Sequence, residues 1–233
     1  MQDEQQVKSR QRVQAHGEVF TAQREVNAML DLVKQETERI DSRFLEPACG
    51  NGNFLIEVLR RKLAVVKRRY KPSKSRGQTS YEKHALLAIS SIYGVDLLED
   101  NVQECRDRLF GLFFDEYSSV CKELNEDILK SAGYILSLNI ICGDALTMRD
   151  STGEAITFAQ WDIVGRIKIK RVDYTLAHLL EAQENQTNMF ASSLGLDLAP
   201  DLVYDENTKS FIPKPIKEFP PISYWEVYRC DEP

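Results

Sequence analysis

Apolar and polar residues recur along this chain in two rhythms, and the switches between them mark out its elements. The first 40 residues carry the helical rhythm. Within GEVFTAQREVNAMLDLV, Gly17 to Val33, the residues Val19, Val26, Met29, Leu30 and Val33 fall near helical spacing. Thr21 is the cap this helix would use, although Arg24 stands where a capping box needs Glu or Gln. Arg43 to Glu46 reads as a short buried strand. Asn53 to Tyr70 reads as a helix with Phe54, Ile56, Val58, Leu59, Leu63 and Val66 apolar. Lys71 to Ser80 is polar and reads as a flexible loop. A short helix over Tyr81 to Ser91 leads to a second strand, Ser91 to Asp96. Helices over Asn101 to Phe114 and Glu116 to Ser131 lead to a third, Leu138 to Asp144. Trp161 to Gly165 reads as a fourth strand. No internal repeat is visible.

Strands alternating with helices predict βαβ units, hence an α/β fold with a mainly parallel sheet flanked by helices and an N-terminal helical segment. The expected division is 1–40 for that segment, 41–174 for the sheet core and 175–233 for a divergent tail. Ligands of open parallel sheets bind beyond the carboxyl ends of the strands. Here three successive strands end in Glu46, Asp96 and Asp144, and collecting three acids at one edge is costly without something to receive them.

Composition narrows the classes. Of 233 residues, 42% are hydrophobic and 28% charged, which suits a globular chain with a real core. No apolar run is long enough to span a bilayer, and the polar start MQDEQQVKSR has no signal-peptide stretch. Cys49, Cys105, Cys121, Cys142 and Cys230 show no CxxC spacing, so a reduced cytoplasmic protein without a disulfide framework or zinc site is expected. The net charge is −6, whereas a protein that binds nucleic acid alone usually shows a positive balance or a basic face. The basic block Arg60 to Arg76 contains no acid; it reads as a solvated helix end and loop, with a nucleic-acid or partner surface as the alternative.

The first strand runs straight into Pro47-Ala48-Cys49-Gly50-Asn51-Gly52-Asn53. Gly50 and Gly52 permit positive φ and close backbone approach. The pattern is neither GxGxxG nor a phosphate-binding P-loop. The helix behind it could favour a carboxylate at its N-terminus. Asp96 is placed for ribose hydroxyls and Asp144 for an exocyclic amine, which together suit a nucleoside with a small charged tail.

EPACGNGNF, Glu46 to Phe54, resembles the S-adenosylmethionine-binding motif D/E-PACGSG-x-F of N6-adenine DNA methyltransferases. HGEVFTAQREVNAMLDLV, His16 to Val33, is similar to the G-x-F-x-TP segment that precedes it, with Ala22 for the proline. YGVD and GDAL, carrying Asp96 and Asp144, are similar to the ribose- and adenine-contacting motifs, in the same order. The resemblance spans His16 to Gly165 and implies a Rossmann-like methyltransferase fold that binds S-adenosyl-L-methionine. By it, Glu46, Pro47, Ala48, Cys49, Gly50, Asn51, Gly52, Asn53 and Phe54 hold the methionine end, and Phe20 and Thr21 lie over it. Asp96 takes the ribose; Asp144, with Ala145 beside it, takes the adenine.

The family's D/N-P-P-Y/F/W motif, which accepts hydrogen bonds from the target amino group and stacks on the flipped base, has no counterpart after the fourth strand. Gly165-Arg166-Ile167-Lys168-Ile169 stands there instead, with donors for acceptors and no aromatic. KRVDY offers Asp173 and Tyr174 but no prolines. Glu218-Phe-Pro-Pro-Ile222 has the prolines but Phe219 for the acceptor and Ile222 for the aromatic, and a stiff extended segment is the simpler reading. No catalytic residue and no metal ligand is assigned. The resemblance implies a DNA adenine methyltransferase, partial or partner-dependent, of restriction–modification type, whose DNA target a protein partner would help recognise. The alternatives are a non-catalytic cofactor-binding scaffold and a methyltransferase for another substrate. The proline- and aromatic-rich end, 211–233, reads as an edge strand, a partner dock or a swapped arm.

Overall fold

The computed structural model describes residues 7–70, 75–180, 202–205 and 210–232. Three short helices come first among the described residues: α1 (Arg10–His16), α2 (Gln23–Leu32) and α3 (Lys34–Thr37). Strand β1 (Phe44–Glu46) leads to α4 (Asn53–Arg69) and α5 (Ser75–Ser90), then to β2 (Ile92–Asp96). Helices α6 (Glu99–Val120) and α7 (Glu126–Asn139) lead to β3 (Ile140–Asp144). The three strands pair in parallel in the order β1-β2-β3, and the two-residue β4 (Arg149–Asp150) adds antiparallel to β3.

The long helices form because each buries an apolar stripe. Leu55, Ile56, Val58, Leu59, Leu63, Val65 and Val66 are the buried set of α4; Ile128, Ala132, Ile135 and Leu136 are that of α7. Asn125 separates α6 from α7 by capping the latter, accepting from the Asp127 amide at 2.9 Å. On β2 the alternation of faces sorts the core. Ile92 joins the large cluster with α4 to α7, whereas Tyr93 and Val95 face a second cluster with Ile156, Phe158 and Leu176.

The fold is α/β, with parallel and antiparallel strands flanked by helices. It departs from a mainly parallel sheet at the expected fourth strand. Residues Thr157–Val164 (β5) and Lys168–Thr175 (β6) form an antiparallel hairpin turning at 165–167. Just before β5 the Ile156 amide donates to the Met148 carbonyl at 2.9 Å, close to the carboxyl edge, and Phe158 then meets Tyr93 of β2 edge-on with centroids 5.3 Å apart. β5 then passes the amino edge, where Arg43 bonds Gln160, and its turn lies beside α5, where the Lys83 ammonium donates to the Arg166 carbonyl at 3.0 Å.

Other expectations shift by smaller amounts. The short helix expected from Tyr81 begins at Ser75, inside the expected loop, of which 71–74 lie outside the described residues. The N-terminal stripe is only half real. Val26 and Leu30 are buried, but Met29 and Val33 are exposed, and Val19, 59% exposed, precedes the helix. Ala22, not Thr21, is the N-cap.

After 176–180, which are helical, the described tail comprises an isolated hairpin and a docked end. Leu202–Asp205 (β7) pairs with Ser210–Pro213 (β8). Lys217–Glu218 (β9) and Ile222–Ser223 (β10) are edge strands on β6, and a 3-10 helix, Tyr224–Arg229, packs on α7. Ser131 donates to the Trp225 carbonyl at 3.1 Å, and Tyr228 to Asp127 at 3.0 Å. Pro220 and Pro221 only bridge two edge strands, beside a buried Phe219 that stacks under Arg171.

Candidate functional site

The segment after β1 is a turn pinned from two sides. The Cys49 amide donates to the Val95 carbonyl at 2.9 Å, and the Gly52 amide to the Cys49 carbonyl at 2.8 Å. Gly50 and Gly52 take φ of +52° and +89°, which disfavours a side chain at either position. Space is short as well: a Cβ on Gly52 would lie 2.6 Å from the buried Cys105 Sγ, and one on Gly50 would press on the Phe20 ring at 3.1 Å. Gly52 is the N-cap of α4 and offers no side-chain cap, and no acid occupies the first turn. The leading amides of a 17-residue helix therefore open onto the turn without intrahelical partners.

Parallel pairing brings the three strand-end acids to this edge. Asp96 fastens the turn, its Oδ2 accepting from the Gly50 amide at 2.8 Å and its Oδ1 from Leu98 at 3.0 Å and Asn101 Nδ2 at 3.2 Å. Asp144 Oδ1 accepts from the Leu146 amide at 2.8 Å, with Ala145 half-buried beside it. Glu46 accepts from the Ala48 amide at 3.3 Å; burial pushes its carboxyl up and that amide partly restores it. Next to two of these acids stand large apolar side chains in water, Leu97 at 60% and Leu146 at 93% exposure.

The remaining sequence-predicted residues divide. Asn53 Nδ2 donates to the Thr21 carbonyl at 3.0 Å, so Thr21 contributes through its backbone. Phe20 covers Gly50. Asn51 gives its Nδ2 to Glu104 at 3.0 Å, while its Oδ1 is buried without a partner among the described residues. Pro47 and Ala48 are exposed. Phe54 packs against the core. The Cys49 thiol also points inward; a hydrogen bond with Cys105 and burial push its pKa far up, so only its backbone belongs to the turn. All five cysteines are free thiols.

Sequence reasoning missed a ring of charge over this turn. Arg12 spans Glu18 and Asp100, with contacts of 2.6 Å to each, and Lys8 reaches Glu104 at 2.6 Å. Arg12 holds the Glu18 and Asp100 carboxyls below the usual carboxylate range. Asn101 Nδ2 joins Glu18, at 2.7 Å, to Asp96. Arg108 Nη1 braces the turn from α6, donating to the Asn51 carbonyl at 2.6 Å and Asn53 Oδ1 at 3.0 Å. The pairs Arg12–Asp100, Glu18–Asn101 and Arg108–Asn53 join residues 88, 83 and 55 positions apart, beyond any local motif.

The segment 165–169 does not join this edge, because it sits at the turn and start of the β5–β6 hairpin. Asp173 of KRVDY is buried and clamped by Arg171 at 2.7 and 2.8 Å. At the amino edge a cleft of about 130 Å³ is lined by Asp41, Arg43, Ser91, Tyr93, Gln160 and Asp162. Beside it the fully buried Lys62, from the basic block, donates to the carbonyls of Ile40 and Ser42 and to the Ser91 hydroxyl. The described part of that block therefore reaches away from the glycine turn, as expected of a helix that starts there, and Lys62 is not solvated. Among the described residues no helix is long and apolar enough to cross a membrane. No protein-family model, curated protein or solved structure matches the chain.

Proposed function

We propose that the carboxyl edge is an S-adenosyl-L-methionine site on a Rossmann-like methyltransferase fold. In this reading the chain is a partner-dependent member of the DNA adenine-N6 methyltransferase family. The observation that carries the reading is the convergence of Glu46, Asp96 and Asp144 on a glycine turn whose Gly50 amide is fastened by Asp96.

The residues present fit such a group. The uncapped N-terminus of α4 suits its carboxylate. The partnerless Asn51 Oδ1 and the half-buried Glu46 suit its ammonium. Asp96 retains acceptor capacity for ribose hydroxyls, and Asp144 Oδ2 makes no hydrogen bond among the described residues, leaving it for the adenine amine. Leu97 and Leu146 offer the apolar surfaces that a purine ring buries. The bound cofactor supplies a sulfonium methyl group. What this chain contributes is orientation: two anchored carboxylates and a braced turn fix the nucleoside.

A second reading, the cofactor-binding scaffold, is favoured by one specific observation. Neither 165–169 nor Asp173 offers an acceptor at this edge. A partner that supplies the acceptor and the target recognition would reconcile the first reading with this absence. Incubation with tritiated cofactor and mixed DNA, with and without candidate partner subunits, separates the two. Label in DNA that disappears with Asp144→Ala supports the transferase; cofactor binding with no label under any condition supports the scaffold.

A further inference from the structure

We infer that residues 8–21 form a lid over the glycine turn, latched by ion pairs and read out by Asp96. This rests on the cofactor reading above for its ligand, but not for its motion. None of residues 10–15 is buried, and a seven-residue helix has no stability of its own. The fastenings of this segment to α6 are polar: Lys8 to Asp100 and Glu104, and Arg12 to Asp100 and Asn101, while Arg12 also ties Glu18 within the segment. Each such pair is weak alone and screened by salt. The latch then turns into cover. The Lys8 ammonium sits 5.9 Å from the centre of the Phe20 ring, and that ring lies on Gly50.

The lid also reports its state. Glu18 is nearly buried, and with the lid down it draws Asn101 Nδ2 to 2.7 Å while the same amide donates to Asp96. Lifting the strap removes Glu18 from that relay and frees Asn101 to leave Asp96. Glu18 and Asn101 are therefore positioning residues: they orient the candidate ribose acid only when the lid is closed. Opening exposes the turn for exchange of ligand, and closure sets Asp96 and covers the site.

Hydrogen exchange of the full chain, in about 0.05 M and 0.5 M salt, tests the motion without any ligand. The expected result is faster exchange of the 8–21 amides in high salt and in the Lys8→Ala, Arg12→Ala double variant, with β2 and α4 unchanged. Exchange in 8–21 that responds to neither overturns the lid. With S-adenosylmethionine present, the double variant should release it roughly tenfold faster, the sum of a few weak pairs. Equal release rates would overturn the coupling to the site. Wild type that binds no cofactor but still shows the salt response would sink the cofactor reading and leave the lid standing.

Discussion

The two edges of the parallel sheet handle polar groups in opposite ways. At the amino edge Lys62 is wholly buried, yet three oxygens surround its ammonium. At the carboxyl edge Glu46 and Asp144 are each anchored by a single backbone amide, Asn51 Oδ1 has no partner among the described residues, and two leucines stand in water. Both edges carry charge. The Lys62 ammonium is internally satisfied, as buried charge must be for stability; the acids at the glycine turn leave capacity unused, as a binding surface must. Charge by itself therefore does not mark a site; unsatisfied charge does.

The sharpest way to break this contrast is at the amino edge. Lys62→Ala should cost about 3 kcal/mol, because it removes packing and strips donors from two carbonyls. Urea unfolding measures this, and cofactor affinity should stay as it was. The same lysine gives a pH signature. Burial pushes its pKa down to about 7 in the folded chain, against 10.5 unfolded. The unfolded chain thus binds the extra proton between these values, so stability should rise from pH 7 toward 10 and fall as pH drops back. That slope should flatten in Lys62→Ala; an unchanged slope would assign it to other groups.

Gly52→Ala tests the other edge through its backbone. Positive φ and the Cys105 sulfur together should cost about 2 kcal/mol in thermal or urea unfolding, with cofactor binding lost as well. A variant as stable as wild type would mean that the turn is not held as described. The smallest effect on stability, and the most selective, is Leu146→Ser. A side chain 93% exposed contributes no packing, so stability should change by less than about 0.5 kcal/mol. Cofactor affinity should nevertheless fall several-fold by titration. Unaltered affinity would remove Leu146 from the proposed adenine surface.

Much of the carboxyl edge was legible from local pattern. Glu46, Asp96 and Asp144 end apolar runs, and parallel pairing alone carries them to one edge. The glycine turn was legible because its conformation needs residues without Cβ. Lys62 was not, since a basic block reads as solvated and nothing local reveals the carbonyls of Ile40 and Ser42 above it. The latch from Lys8 and Arg12 was invisible for the same reason: its partners sit on α6. The β5–β6 hairpin does leave a signal in the sequence. Arg166-Ile167-Lys168-Ile169-Lys170 alternates with period two after a glycine, the mark of an antiparallel strand, and β6 buries Ile169 between the exposed Lys168 and half-buried Lys170.

Calorimetric titration of S-adenosylmethionine into wild type and Asp96→Ala tests the central claim most directly. The account predicts saturable heat with wild type. It also predicts affinity weakened by roughly ten- to a hundredfold in the variant, the worth of hydrogen bonds to a charged group. Absence of heat with wild type, or equal affinity in the two proteins, would contradict it.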